Sequence, residues 1–160
     1  MNDNLIYQVL EYIDNNINEQ ISITKLSNTL YFNKDYIMRI FKKKFNITII
    51  KYINLLKIYN NLSLYKNKHN SITYISICSS FNELEYYTRT FKQIFGVSPS
   101  TYKIFINNKF SLSNDEFYKI LLKILEIENL MDMINKFKED NKPRYIPQTL
   151  SIFKTLKKQM

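Results

Sequence analysis

SITYISICSSFNELEYYTRTFKQIFGVSP, residues 71–99, decides how the chain is read. It holds a short apolar helical pattern, a tight turn and a longer basic helical pattern. It then closes on Gly96, the single glycine of the chain, and on a Ser-Pro helix start. The same pattern occurs once before. Ser22-Ile23-Thr24 recurs as Ser71-Ile72-Thr73, Leu26-Ser27 as Ile75-Ser76 and Phe32-Asn33 as Phe81-Asn82, all at an offset of 49. One residue is then added, and Tyr36, Arg39, Phe41-Lys42, Phe45 and Tyr52 recur as Tyr86, Arg89, Phe91-Lys92, Phe95 and Tyr102. A match at a fixed period means one supersecondary unit used twice.

Working outward, the helical spacing of Leu5, Ile6, Val9, Leu10 and Ile13 predicts an amphipathic first helix over 4–17. Ser22 is the expected N-cap of a helix to Leu30, and Asn33 that of a helix to Phe45. Asn46 stands where a left-handed helix stop is expected. Thr48 caps a long linker helix to about residue 65, with no Gly or Pro inside it. In the second copy, a helix from Ser71 to Ser79 is followed by one that Asn82 and Glu85 would open as a capping box. Ser98-Pro99 starts a seventh helix to about 106. Ser113 and Glu116 form a further capping box, ahead of a helical face that runs from Phe117, Ile120, Leu121, Ile124 and Leu125 to Phe137. After two prolines, Leu150, Ile152, Phe153 and Leu156 suit one short basic helix. The fold class is all-α: two three-helix units joined by a long linker helix, plus a C-terminal helical extension over 107–160.

Composition bounds the function. The chain has 160 residues and 45% hydrophobic content, enough for a packed core. Its net charge is +9. The excess is local: Lys34–Lys68 carries nine Lys or Arg against one acid, Asp35. Such a stripe points to a polyanion, most often nucleic acid, although the absence of Ala and the many Asn, Ile, Lys and Tyr fit an A/T-rich coding bias that also raises lysine content. One Cys and one His offer no disulfide framework, metal cluster or triad, so no enzyme activity, metal or cofactor is expected. Cys78 reads as packing and His69 as a solvated connector residue. No apolar run is long enough to span a bilayer, and a soluble cytoplasmic protein is expected.

Each repeat reads as a helix-turn-helix, whose second helix enters the major groove of DNA. Arg39 and Arg89 hold the same place in the two second helices, where an arginine can read a guanine edge or clamp a phosphate. A linker helix of about 18 residues is roughly 27 Å long. With its flanking turns it would set the two reading helices about 34 Å apart, one turn of B-DNA.

At this point the chain resembles the DNA-binding domain of the AraC/XylS transcriptional regulators. The second repeat carries the signature through Ile75, Phe81, Tyr87, Arg89, Phe91-Lys92, Phe95-Gly96, Ser98-Pro99 and Tyr102-Lys103. The first matches through Leu26, Arg39, Phe41-Lys42-Lys43, Tyr52 and Lys57. Ser27 and Ser76 replace the family's usual Ala; Tyr31, Ser80 and Asn46 replace its usual Gly. The resemblance covers about residues 4–106 and implies a seven-helix domain over 1–106, with helix-turn-helix units at about 22–45 and 71–95 and the linker at 48–65. It implies double-stranded promoter DNA as partner, with RNA polymerase a further one.

By that resemblance, Lys34, Asp35, Met38, Arg39, Leu84, Glu85, Tyr86 and Arg89 face bases, and an A/T-rich target suits them. Lys42, Lys43, Lys51 and Lys92 are candidates for phosphate contacts. The expected function is sequence-specific transcription regulation by one monomer. The alternative is a protein-interaction module of the same fold with weakened DNA specificity, acting through another regulator or RNA polymerase. The extension is expected to pack on the domain in a monomer, with a dimer through 113–160 as the other possibility.

Overall fold

The computed structural model describes residues 2–143, 158 and 159. They hold eight α-helices and no strand. These are α1 (Asn2–Asn16), α2 (Ile23–Leu30), α3 (Lys34–Phe45), α4 (Ile49–Tyr59), α5 (Ile72–Cys78), α6 (Leu84–Phe95), α7 (Pro99–Asn107) and α8 (Asn114–Asn141). The helix expected around Leu150–Leu156 lies outside the described residues. No helix among those described is long and apolar enough to cross a membrane.

Short polar side chains start most helices. Ser22, Asn33, Thr48, Ser71, Ser98 and Ser113 each accept a hydrogen bond from a backbone N–H in the first turn. Ser113 and Glu116 complete the expected capping box. Asn82 and Glu85 do not. The N-cap of α6 is Glu83, with no side-chain cap bond, so Glu85 falls one position too early to reach back. Buried Phe81 sets the entry instead, packing edge-on against Tyr87 at 5.1 Å. The inserted residue of the second repeat therefore lies in this turn: Asn33 caps α3, and its counterpart at the start of α6 is Glu83, not Asn82.

The two turns are alike despite their different residues. Tyr31 and Ser80 both adopt left-handed backbone, at φ 59° and 62°. In each, the next amide bonds the carbonyl five residues back: Phe32 to Ser27 at 3.2 Å and Phe81 to Ser76 at 3.1 Å. This is the Schellman closure usually made with glycine. Ser27 and Ser76 fit their Ala-sized sites by donating to Thr24 O at 2.9 Å and Thr73 O at 2.7 Å.

The linker helix is shorter than expected. It stops at Tyr59, and a 3-10 turn, Leu62–Lys66, follows. The Asn61 side chain takes the Lys57 carbonyl at 2.9 Å, competing with continuation of the helix. The 11 residues of α4 span only about 16 Å, against the roughly 27 Å expected for about 18 residues. It is a hub. Ile49, Tyr52, Ile53, Leu55, Leu56, Lys57 and Ile58 are buried, and α4 packs against both α3 and α6. A helix apolar nearly all round belongs inside.

An aromatic cluster holds the second unit together. Phe91 stacks on Phe95 with centroids 4.5 Å apart, and Tyr102 and Tyr65 close around them. Tyr65 and Tyr87 share a buried hydroxyl–hydroxyl hydrogen bond of 2.6 Å. Helix α8 packs on α1 and α6 through Ile120, Ile127, Met131, Ile134 and Phe137. Phe137 meets Phe45 edge-on at 5.3 Å, and Lys138 pairs with Asp14 at 2.9 Å. The buried stripe is narrower than the sequence pattern suggested, since Leu121 and Leu125 face solvent.

Candidate nucleic-acid interface

The second helices of the two units, α3 and α6, expose what the repeat placed on them. In α3, Ile37, Ile40, Phe41 and Phe45 point inward, which leaves Lys34, Asp35, Arg39, Lys42 and Lys43 exposed and Met38 half-buried against the core. In α6, Tyr87, Thr90, Phe91 and Phe95 are buried, and Leu84, Glu85, Tyr86, Arg89 and Lys92 are exposed. Lys51 is exposed on α4. The expected base-facing and phosphate-facing residues thus share the outward faces of α3, α6 and the start of α4.

The two arginines are held alike. The Arg39 guanidinium lies 5.5 Å from the Tyr36 ring centre, and that of Arg89 lies 5.8 Å from the Tyr86 ring centre. Each tyrosine is also anchored. Tyr36 donates its hydroxyl proton to Asn2 Oδ1 at 2.6 Å, and the Asn54 amide donates to the Tyr86 hydroxyl at 3.0 Å. A cation over an exposed ring gains about 0.5–1 kcal/mol and narrows the arginine's rotamers before any ligand arrives.

The ion pairs among the described residues are Lys44–Asp3, Lys123–Glu126 and Lys138–Asp14. None uses Lys34, Arg39, Lys42, Lys43, Lys51, Arg89 or Lys92, so these charges are available to a partner. Lys44, by contrast, is drawn off to Asp3 and to the Phe137 ring, 5.0 Å away. Asp35 and Glu85 stand one turn before Arg39 and Arg89 and pair with neither. They sit in the first turn of their helices, where the helix dipole favours a negative charge.

Tyr36 and Asn54 were not among the expected site residues. The repeat contained the signal for Tyr36, because it pairs with Tyr86. Nothing in the sequence marked Asn54, whose partner lies 32 residues away.

With this geometry in view, residues 26–103 match the model of a helix-turn-helix domain. They form a domain of the AraC type, a helix-turn-helix class of DNA-binding domain. Among relatives, the chain is 27% identical over 113 residues to an uncharacterized HTH-type transcriptional regulator, YbfP, of Bacillus subtilis, covering 71% of this chain and 38% of YbfP. It is 29% identical over 99 residues to the multiple antibiotic resistance protein MarA of Salmonella typhimurium, covering 62% of this chain and 78% of MarA. A solved structure of a Listeria innocua protein of unknown function aligns at TM-score 0.53 and 25% identity, over 59% of this chain and 90% of that one. The described residues are all-helical, and the MarA-like relatives have the double helix-turn-helix fold.

Proposed function

We propose that the chain is a sequence-specific transcription regulator whose α3 and α6 enter successive major grooves of one promoter duplex. The matched placement of Arg39 and Arg89, each exposed over a tyrosine at the same register of its helix, carries this reading. An arginine on that face can bond guanine O6 and N7 together. Leu84 and Met38 offer apolar contact to thymine methyl groups. Lys42, Lys43, Lys51 and Lys92 supply charge to phosphates, which adds affinity without sequence information. Similarity to proteins named as transcriptional regulators supports the same role. The first helix of each unit ends in the same Schellman closure, so both turns keep the family-like geometry despite Tyr31 and Ser80, and this supports the same reading.

The test is a binding titration over a salt series with a selected duplex and a scrambled one. Arg39→Ala and Arg89→Ala should bring the two affinities together. Lys43→Ala should weaken both alike and lower the salt slope by about one. A Lys43→Ala variant that loses preference while the arginine variants keep it would contradict the assignment.

A further inference from the structure

A cleft of about 450 Å³ lies between the two helix-turn-helix units, away from the outward faces of α3 and most of α6. Its walls come from both units and from the hub helix: Ile23, Ile53, Asn54, Phe81 and Tyr86, with Lys57 among them. The volume is within the range of small-molecule sites, and the mixture of apolar walls with a few polar groups is their usual character.

Lys57 is the unusual member. The residue is only 6% exposed, yet it takes part in none of the ion pairs among the described residues. Its ammonium has a ring for company, that of Phe81 at 5.9 Å. Burial holds its pKa below the ordinary lysine value. A buried cation without an anion is a costly arrangement that an anionic partner relieves. The acid of the cleft lining, Glu83, is exposed, where water screens it.

We infer that this cleft binds a small organic anion with a flat apolar body, its carboxylate on Lys57 and its rings against Phe81 and Tyr86. The apolar walls reject a bare inorganic ion, and the isolated ammonium favours an acid over its neutral analogue. The cleft shares Tyr86 with the proposed DNA-reading face, but its test uses no DNA and stands or falls apart from that assignment.

The probe is 2-naphthoate, titrated into the full chain and followed by calorimetry and by backbone amide shifts. Saturable binding is expected, with shifts at Ile21, Ser80 and Glu83. Lys57→Met keeps the apolar stem and should bind naphthoate at least about tenfold more weakly, while neutral 2-naphthamide binds both proteins alike. Ile50→Glu, at an exposed position on the cleft wall, should weaken naphthoate binding without touching the core. Unmoved cleft amides at millimolar probe, or equal naphthoate affinity in Lys57→Met and the unaltered protein, overturn the inference.

Discussion

The guanidinium of Arg89 lies 5.8 Å from the ring centre of Tyr86, and Arg39 repeats the relationship with Tyr36 at 5.5 Å. Both pairs are spaced i, i+3 on a helix surface, where side chains are neighbours. The ring holds the arginine's plane before DNA arrives, so less freedom is lost on binding. Tyr86→Ala should therefore weaken binding to a selected duplex by roughly twofold to fivefold. Tyr86→Phe keeps the ring, loses the Asn54 hydrogen bond and should retain most of the affinity. Fluorescence anisotropy on the duplex separates the two; equal losses would show that the hydroxyl, not the ring, positions Arg89.

The turn residues make a stability prediction. A side chain in left-handed backbone costs about 1 kcal/mol or more, and the Tyr31 side chain is 93% exposed, so little contact is lost with it. Tyr31→Gly should be neutral to stabilising by up to about 1 kcal/mol, after the extra unfolded-state entropy of glycine. Ser80→Gly should gain less. Ser80 Oγ donates to Asn18 O at 3.2 Å, and Gln20 donates to Ser80 O at 3.2 Å, so this turn is tied to the α1–α2 connection. Urea midpoints of the two variants give the comparison.

The Tyr52 hydroxyl is buried and has no hydrogen-bond partner among the described residues. An unmet buried polar atom costs about 1–3 kcal/mol. Tyr52→Phe removes it and keeps the ring that packs on Phe41 at 5.6 Å. The variant should be more stable by about 1 kcal/mol in chemical denaturation. A loss of that size would mean that the hydroxyl is bonded in solution.

Helix α8 is part of the core. Ile134 is fully buried on it, so Ile134→Ala should cost about 2–4 kcal/mol and lower the midpoint of the whole transition. A separate early transition, with the main one unmoved, would show that α8 is a detachable appendage.

Stability should fall in strong base. Burial raises the pKa of Tyr52, Tyr65, Tyr87 and Tyr102, pushing Tyr87 and Tyr102 up to about 12. Above about pH 10 the unfolded chain releases these protons while the folded chain keeps them, so the unfolded state gains. The stabilisation is complete below that pH and is lost as pH climbs toward 12. Lys57, with its lowered pKa, acts in the opposite sense, one group against four. Urea midpoints should be level near neutrality and drop steeply between about pH 10 and 11; level midpoints through that range would contradict the burial of these hydroxyls.

Much of this was legible in the sequence because it is local. Caps such as Ser22, Asn33 and Ser113 act within three residues, and left-handed Asn46 declares itself by type. The repeat made both reading helices and both arginines visible at once. What escaped is set by tertiary packing. Phe81 wedged on Tyr87, not a capping box, launches α6. The end of α4 depends on a side-chain amide taking a carbonyl at Asn61. The inward face of α8 is narrower than its apolar pattern because α1 and α6 cover only one side of it. Buried Lys57 looked like any surface lysine in the string.

A chain that carries two separate DNA readers selects a composite site. Duplexes recovered with it from a random pool should be enriched in two blocks with centres about one helical turn apart. Arg39→Ala should blur one block and Arg89→Ala the other. No enrichment over the starting pool, or a single block blurred equally by either substitution, would contradict two separate readers in one chain.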